Sequence, residues 1–180
     1  MFHWPVDAEL SLRLLHLSDA DEFYALADRN RDHLRRWIPE VAATTPDETR
    51  SYIAGTMERW ARDEGFFCGI VCEGHLAGAM GIRKDVTNRC ASIGYWLGSE
   101  FEGRGLVSRS VRAITDHLVR ERGVERVEIR AEPENGRSRA VAERCGFLHE
   151  GTLRRAAWEH DRLVDSCVYA VLREEWLART

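Results

Sequence analysis

The chain has 180 residues, 44% of them hydrophobic and 31% charged, with a formal net charge of −4 and a sequence pI near 6.0. This length and composition predict an ordinary globular protein, and we expect residues 1–180 to form a single domain. No run approaches the roughly 18 apolar residues of a membrane span, and an acidic balance without a base-stacking motif argues against nucleic acids and membrane surfaces as partners.

Cysteine usage and the first ten residues predict a reducing compartment. The cysteines are scattered through apolar segments, and the spacing of Cys68 and Cys72 fits no standard zinc pattern. We expect each cysteine to be a small buried side chain that binds no metal. The five are Cys68, Cys72, Cys90, Cys145 and Cys167. The opening MFHWPVDAEL lacks the basic end and the apolar stretch of a secretion signal, so a cytoplasmic protein is expected.

The first third of the chain combines one strand pattern with helical patterns. Glu9–Leu17 alternates as a strand does, and Ser18 is predicted to cap a helix with an acidic first turn. A second helical segment containing HLRRW is expected to stop near Pro39. Thr45–Pro46 predicts the cap and first residue of a helix that runs to about Asp63. Three large side chains of that helix are expected to face the core: Tyr52, Met57 and Trp60.

Strand patterns dominate after residue 64. Two apolar stretches flank Glu73–Gly74, which predicts an antiparallel hairpin, and the strand CASIGYWLG follows a polar turn. Leu106–Arg122 carries the strongest helical stripe, and Gly123 is placed to end it. VERVEIRAE alternates as a strand, Asn135 caps a short helix that Gly146 ends, and two further strands follow.

This order of elements predicts a mixed α+β fold with helices on both faces of a mostly antiparallel central sheet. It runs strand, helices, three antiparallel strands, helix, strand, helix, strand, strand. Such an order lacks the regular alternation of a dinucleotide-binding fold.

The segment Gly94–Val111 carries the clearest chemical signal. A buried strand leads into a loop in which Gly103, Arg104 and Gly105 precede the strongest helix. The first amides of a helix have no intrahelical acceptor and lie at the positive end of its dipole, and two glycines let a ligand approach the backbone closely. The segment therefore indicates a pyrophosphate cradle. An ordinary glycine-assisted helix start is the alternative, and neither a Walker loop nor a nicotinamide fingerprint is present.

A second segment, ENGRSRAVAERCGF, predicts a capped amphipathic helix with Asn135 and Ser138 in its first turn. Together with HLRRWIP, IGYWL, EGRGLVSRSV, HEGTLR and DSCVYAVLREEW, it resembles the GNAT acetyltransferase superfamily. The resemblance spans nearly the whole chain and is closest to the ribosomal-protein N-terminal, or Rim-type, branch. It implies a GNAT fold splayed in the middle of the sheet, and an enzyme that moves the acetyl group of acetyl-CoA to a primary amine by direct attack.

The resemblance also implies which residues hold acetyl-CoA. In such enzymes the strand that here carries Tyr95, Trp96 and Leu97 hydrogen-bonds the pantetheine arm, and a bulge there opens the sheet. The loop amides that would hold the pyrophosphate belong to Gly103, Arg104, Gly105, Leu106 and Val107. Asn135 would contact the pantetheine arm. On charge alone, Arg104, Arg109 and Arg137 are candidates for the phosphates.

The catalytic residues follow less directly from the resemblance. Many family members use a tyrosine of the last helix to protonate the leaving thiolate, and this chain has Ala142 there. The Rim-type branch uses the serine of an Asn-x-x-Ser turn, which is Ser138, with a helix-capping hydroxyl as the alternative. A backbone amide near Trp96 or Leu97 is the simplest oxyanion donor.

A general base is the least defined part of the expected site. The glutamate of some relatives falls on Ala157, so Glu159, two residues along the same strand face, is the candidate base. A water wire to solvent is one alternative. Four further side chains are also open: Glu132, His149, His160 and Asp165.

The acceptor site is expected to be formed by the early helices and the loop between the last strands. Its candidate wall residues are Trp37, Trp60 and Trp158, for which burial in the core is the alternative. The resemblance favours a protein N-terminal α-amine, although the same fold accepts polyamines, amino acids and antibiotics. A small-molecule amine acetyltransferase and a non-catalytic CoA-binding sensor are therefore alternatives. A monomer or a homodimer is expected.

Overall fold

A computed structural model describes residues 3–159 and 161–179. In chain order the strands are β1 (His3–Pro5), β2 (Leu10–Leu14), β3 (Gly65–Cys72), β4 (His75–Asp85), β5 (Cys90–Leu97), β6 (Arg126–Ala131), β7 (Leu148–Glu159) and β8 (Arg162–Leu172). The helices are α1 (Ala20–Arg29), α2 (Arg31–Leu34), α3 (Pro39–Ala43), α4 (Pro46–Ala61), α5 (Leu106–Arg120), α6 (Gly136–Arg144) and α7 (Arg173–Leu177). The predicted α+β class is confirmed.

The strands are hydrogen-bonded in the order β1-β2-β3-β4-β5-β6-β8-β7. β2 pairs antiparallel with β1 and β3, and β8 pairs antiparallel with β6 and β7. β5 and β6 pair in parallel at Cys90–Ser92. The sheet is therefore mostly antiparallel, as predicted. Among the described residues, no helix is long and apolar enough to cross a membrane.

The chain packs into two compact units. Unit 1 comprises Met1–Ile82 and Tyr95–Ser110, and unit 2 comprises Arg83–Gly94 and Val111–Thr180. β4, β5 and α5 each contribute residues to both units. That residues 1–180 form a single domain stays a prediction.

Aromatic packing holds helix α1 in the core of unit 1. The ring of Phe23 meets Phe67 of β3 edge-on, with 5.6 Å between centroids, and meets Trp96 of β5 in the same way at 5.4 Å. All three side chains are buried. Such pairs add about 0.5–1.5 kcal/mol each to the stabilisation that burial itself provides. A single side chain of α1 therefore joins the helix to two strands of unit 1.

The predicted hairpin between β3 and β4 is confirmed. Its two-residue loop places Glu73 at φ 51° and Gly74 at φ 84°. Two consecutive left-handed residues are the mark of a type I′ turn, whose twist matches that of the flanking strands.

Helix α4 begins as predicted, at a capping box. The Glu48 amide donates to Thr45 Oγ1 at 3.3 Å, and the Thr45 amide donates to Glu48 Oε2 at 2.8 Å. Tyr52, expected on its inner face, is 46% exposed, but its ring packs edge-on against the buried Phe67 with 5.1 Å between centroids. The buried positions of α4 are Thr49, Ile53 and Thr56, and Met57 and Trp60 are half-buried. Because two of these buried residues are threonines, a pattern based on hydrophobicity does not reveal the buried face of α4.

The start of helix α1 differs from the prediction. Ser18 lies inside a short 3-10 helix, Leu17–Asp19, and Asp19 is the residue that precedes α1. The Asp19 carboxylate accepts a hydrogen bond from the His16 amide at 2.8 Å. A charged group that is only 8% exposed needs such partners. The Asp19 side chain therefore holds the 3-10 turn that precedes α1, and it makes no side-chain capping bond to α1 itself.

The segment around Pro39 also differs. The second helical segment ends at Leu34, before the predicted stop, and Pro39 begins the unpredicted helix α3. Proline is well suited to the first position of a helix because it has no amide hydrogen to satisfy there. Strand β1 and helix α7 were also not predicted, since both are short.

The elements of the second half are largely as expected. Gly123 follows α5 in the left-handed conformation, at φ 63°. Val127, Ile129 and Ala131 are the buried face of β6. β7 runs to Glu159, with register shifts between His149 and Gly151 and between Leu153 and Ala157.

Four of the five cysteines are buried, as expected, but Cys90 is half-exposed. Burial raises the pKa of the Cys68 thiol to about 12 and also raises the pKa of Cys72. At neutral pH these two thiols are therefore not nucleophiles.

The capping box can be tested by stability. Thr45→Ala removes the hydroxyl that accepts from the Glu48 amide. We expect the free energy of unfolding to fall by about 1 kcal/mol in urea titrations. Ser51→Ala on the exposed part of the same helix is the control. Its effect is expected to stay within about 0.5 kcal/mol. Equal effects of the two variants would contradict a stabilising cap.

Candidate active site

The loop between β5 and α5 has the geometry of an anion cradle. Gly103 and Gly105 are left-handed, at φ 76° and 71°, and both are exposed. A Cβ added to either would meet no atom within 4 Å. The glycines are thus required by backbone conformation, since a left-handed residue with a side chain costs about 1–2 kcal/mol. The backbone of the loop adjoins open space that a phosphate group can occupy.

Helix α5 supplies the donors of this cradle. The Arg109 amide donates to Gly105 O at 3.1 Å, which begins the helical hydrogen-bond series. The amides of Leu106 and Val107 lie before it, at positions where an α-helix offers no intrahelical acceptor. The positive end of a 15-residue helix is at the same place. The backbone of this turn therefore fits a pyrophosphate.

Two of the three arginines expected to reach the phosphates have carboxylate partners in unit 1. Arg104 Nη2 lies 2.9 Å from Glu9 Oε2 and 3.0 Å from Glu73 Oε2. Arg109 donates to Asp7 Oδ2 at 2.5 Å and to Glu9 Oε1 at 2.6 Å. Two guanidinium groups thus face three carboxylates, and their positive charge is compensated. This network ties the glycine loop to the start of β2 and to the β3–β4 turn.

Glu9 is the centre of this network. Hydrogen bonds from Arg109 and then Arg104 hold the pKa of the Glu9 carboxyl below its ordinary value of 4.5. Arg109 Nη2 also donates to the carbonyl of Arg104 at 3.2 Å. The loop backbone is therefore bonded to the same guanidinium that Glu9 holds in place.

The strand segment expected to bind the pantetheine arm is packed closely against β4 within unit 1. Tyr95 and Leu97 are half-buried, and Trp96 is buried. A Cβ on Gly78 would lie 2.2 Å from the carbonyl oxygen of Trp96, so only glycine permits this approach. The Trp96 indole nitrogen is buried without a hydrogen-bond partner in the described part of the chain. Roles of this segment toward a ligand stay predictions.

The first turn of α6, in unit 2, is capped as predicted. The Ser138 amide donates to Asn135 Oδ1 at 3.1 Å. Ser138 is half-buried at the third helical position, and its hydroxyl is not the capping acceptor. Ala142 is fully buried. The cap fixes the backbone of Ser138, but its catalytic role stays a prediction.

A buried tyrosine that the sequence analysis did not single out anchors the same helix. Arg139 Nε donates to the Tyr169 hydroxyl at 2.9 Å, and that hydroxyl donates to Glu143 Oε1 at 2.9 Å. Arg139 Nη1 also donates to Pro133 O at 3.0 Å. Burial raises the pKa of the Tyr169 hydroxyl. The position of this tyrosine in the apolar run CVYAVL could have indicated such contacts, because a buried hydroxyl requires hydrogen-bond partners.

The candidate base Glu159 is the last residue of β7. It pairs in register with Arg162, and Ala157 pairs with Val164. Both Ala157 and Glu159 are half-buried while Trp158 between them is exposed, so the two share a strand face as expected. The role of Glu159 as a base stays a prediction.

The alternative bases lie in different surroundings. Asp165 accepts a hydrogen bond from the Arg155 amide at 2.8 Å, next to a register shift of β7. Glu132 Oε2 lies 3.9 Å from Arg162 Nη2. His149 is exposed, with its ring 5.0 Å from that of Tyr169. The structure leaves these alternatives open, and a further one, His160, falls outside the described residues.

The three candidate wall tryptophans differ in environment. Trp37 is half-buried, and the guanidinium of the preceding residue, Arg36, lies over its ring at 4.6 Å from the centroid. Trp60 packs edge-on against Phe66 at 5.6 Å. Trp158 is 65% exposed. Trp37 and Trp60 belong to unit 1 and Trp158 to unit 2. Their roles toward an acceptor stay predictions.

Comparison with known proteins decides the family. Residues 9–148 match the model of the acetyltransferase (GNAT) domain. The chain belongs to the GNAT acetyltransferase family.

Over residues 3–159 and 161–179, the structure contains no group of three or more histidine, cysteine, aspartate or glutamate side chains that could hold a metal ion.

Two bacterial proteins illustrate the relationship over the full chain. The protein named "Putative ribosomal N-acetyltransferase YdaF" of Bacillus subtilis (strain 168) is 33% identical, with 98% of each chain covered. The ribosomal-protein-serine acetyltransferase of Escherichia coli (strain K12) is 27% identical over 92% of this chain and 93% of the relative.

A solved structure of the ribosomal L7/L12 α-N-protein acetyltransferase RimL with coenzyme A superposes on this GNAT chain with a TM-score of 0.90. Its sequence is 28% identical, and the match covers 95% of this chain and 98% of that one. The microcin C7 self-immunity acetyltransferase MccE, solved with acetyl-CoA and AMP, gives a TM-score of 0.87 at 28% identity over 93% and 94% of the chains. The protein is thus an N-acetyltransferase with acetyl-CoA as co-substrate.

The Glu9 network predicts a pH-dependent contribution to stability. A carboxylate whose pKa is lowered on folding stabilises the folded state above its unfolded pKa, and the contribution is lost as the pH falls through the folded value. Glu9→Gln should therefore destabilise the protein at pH 7, and the difference should vanish as the pH falls below 4.5.

Denaturant titrations of the wild type and Glu9→Gln between pH 3 and pH 7.5 measure this difference. Glu58→Gln makes the same charge change at an exposed position of α4 and is the control. A difference between wild type and Glu9→Gln that does not depend on pH would show that the ion pairs contribute nothing.

Proposed function

We propose that this GNAT enzyme acetylates the α-amine at the N-terminus of a protein, by direct attack on the thioester of acetyl-CoA. The observation that carries the proposal is the similarity over 98% of both chains to a protein named as a ribosomal N-acetyltransferase. The named activity of the E. coli relative and of RimL supports the same class of acceptor.

Charge supports a cationic acceptor. Unit 1, which includes the early helices, carries sixteen acidic and ten basic residues, a formal charge of −6. An amine arrives at neutral pH mainly as an ammonium ion, and a negative field raises its local concentration. The amine nitrogen can attack only after a proton has been removed.

A carboxylate such as Glu159 is a weak base, which favours an α-amine over a lysine-like amine. With a pKa near 8, about a tenth of an α-amine is already neutral at pH 7, against fewer than about one in a thousand side-chain amines with a pKa near 10.4. An enzyme with a weak base, or with only a water wire, can therefore acetylate an α-amine more readily than a polyamine.

Acetyl-CoA would be held mainly by backbone groups. In this proposal the amides of Gly103–Val107 bind the pyrophosphate, and the Tyr95–Leu97 strand and Asn135 bind the pantetheine arm. The acidic partners of Arg104 and Arg109 leave phosphate binding to the amides and the dipole of α5.

The reaction forms a nitrogen–carbon bond and breaks the carbon–sulfur bond. The proposal assigns removal of the ammonium proton to Glu159, with a water wire as the alternative. An amide near Trp96 or Leu97 stabilises the oxyanion. Ser138 donates a proton to the leaving thiolate and is reprotonated with the second proton that the attacking nitrogen loses, so the amide forms and coenzyme A departs as a thiol.

A direct acceptor comparison tests this function. We expect a kcat/KM at least about tenfold higher for a peptide with a free N-terminus than for spermidine or an aminoglycoside, with mass spectrometry placing the acetyl group on the α-nitrogen. An N-terminally blocked peptide containing lysine is the matched control. Preference for the small amines would overturn the proposed acceptor. Acetyl-CoA binding without turnover on any amine would instead indicate a sensor.

The cradle is tested separately by calorimetry. Gly103→Asp combined with Gly105→Asp places two carboxylates where the pyrophosphate would lie, and also strains two left-handed positions. We expect acetyl-CoA binding to be lost while the protein stays folded by circular dichroism. Unchanged binding would exclude a role of the loop in holding the pyrophosphate.

Ser138→Ala tests the proposed acid. We expect kcat to fall about 100-fold, in the lower range for general acid catalysis, with KM for acetyl-CoA unchanged. The cap at Asn135 should survive, because it uses the backbone amide of residue 138. Ser51→Ala serves as the matched control. A kcat within twofold of the wild type would leave Ser138 with only a structural role.

A further inference from the structure

A buried asparagine holds the beginning of the loop that leads to the glycine cradle. Asn30 lies at the junction of α1 and α2 and is only 3% exposed. Its side-chain carbonyl accepts from both the amide and the hydroxyl of Ser99, each at 2.9 Å. Its side-chain amide donates to Leu26 O at 3.0 Å and to Glu100 Oε2 at 3.2 Å. Both ends of the group are thus engaged, as burial requires.

The position of Gly98 shows how closely this junction is packed. A Cβ there would lie 2.7 Å from Glu100 Oε2 and 3.2 Å from Asn30 Nδ2. The backbone of Gly98 has an ordinary φ of −63°, so no left-handed turn requires the glycine. A side chain at position 98 would therefore have to displace the Glu100 carboxylate.

An exposed ion pair and a half-buried His–Glu contact accompany the buried group. Arg29 Nε lies 3.0 Å from Glu100 Oε1, and His33 Nε2 lies 3.3 Å from Glu102 Oε1. At the other end of the loop, Arg104 forms an ion pair with Glu9. Exposed ion pairs contribute little, whereas a buried amide cannot leave its partners without being left unsatisfied. Asn30 is therefore a buried polar attachment of the loop to the early helices, beside the apolar packing of Phe101 against their core.

We propose that Asn30 is a positioning residue for acetyl-CoA. By fixing Ser99 and Glu100 to the α1–α2 junction, it holds the loop from Gly98 to Gly105 in the conformation that presents the first amides of α5. A preformed cradle binds its anion without the cost of ordering a mobile loop. This inference rests on the proposed role of Gly103–Val107 in binding the pyrophosphate.

Asn30→Asp tests the proposal with almost no change in shape. At pH 8 it removes both amide donors and places a carboxylate beside Glu100. We expect Kd and KM for acetyl-CoA to rise at least about tenfold, with kcat at saturating acetyl-CoA within about twofold of the wild type. A purely structural role would lower the melting temperature and the active fraction, and hence the apparent kcat, with KM unchanged. That outcome would overturn the proposal.

Asn88→Asp is the matched control, because Asn88 also donates to a carboxylate, Asp85, but in an exposed turn. It should leave KM unchanged. Gly98→Ala displaces the Glu100 carboxylate without adding charge and should also raise KM for acetyl-CoA. It keeps the test decisive should Asn30→Asp not fold.

Rescue gives a signature specific to this contact. Adding Glu100→Gln to Asn30→Asp restores one hydrogen bond in the opposite direction, because the new amide donates to the new carboxylate. We expect this double variant to recover part of the lost affinity, at least about threefold, and the absence of recovery would count against the contact. If the Gly103→Asp, Gly105→Asp variant still binds acetyl-CoA, the proposed cradle fails. If that variant loses binding while Asn30→Asp and Gly98→Ala keep wild-type KM, only the Asn30 inference fails.

Discussion

The turn from β5 into α5 has to leave backbone amides available and yet stay rigid. Amides without a protein acceptor at a helix start are useful to a ligand only if the preceding loop does not collapse onto them. In this structure Gly103 and Gly105 are left-handed, and a Cβ on either would meet no atom within 4 Å. Partners outside the loop hold it in place, with Asn30 at one end and Glu9, through Arg104, at the other. Much of the remaining architecture of unit 1 supports this arrangement, since β2, the β3–β4 turn and α1 each supply a partner.

The electrostatic balance of this turn is unusual for an anion site. Carboxylates outnumber guanidinium groups in the network of Asp7, Glu9, Glu73, Arg104 and Arg109. A phosphate group would therefore meet little net positive charge from these side chains. Attraction has to come from backbone dipoles, which are fixed in place and do not depend on the protonation of any side chain.

Features set by neighbouring residues could be predicted from the sequence. The capping box of Thr45 and Glu48, the turn at Glu73–Gly74 and the cap of Asn135 on the residue-138 amide each involve positions within three residues of one another. The glycine loop and the α+β class were also predictable, because both follow from the order of local patterns.

Features that depend on distant partners could not be predicted. Arg109 appeared available for phosphate because its partner Glu9 is 100 positions away in the chain. Asn30 reads as an ordinary polar residue between two helices until Ser99, 69 positions later, is placed beside it. The buried face of α4 was predicted only in part, because hydrophobicity alone does not reveal that two of its buried residues are threonines.

Gly78 has a consequence for how this protein tolerates sequence change. A Cβ on Gly78 would lie 2.2 Å from the carbonyl oxygen of Trp96 and 2.8 Å from the Cα of Leu97. Both are backbone atoms, which cannot move aside as a flexible side chain can. Even alanine at this position would push two strand backbones apart, in the segment expected to bind pantetheine. Gly78 thus takes no part in the reaction, yet nearly every substitution at this position is expected to destabilise the protein.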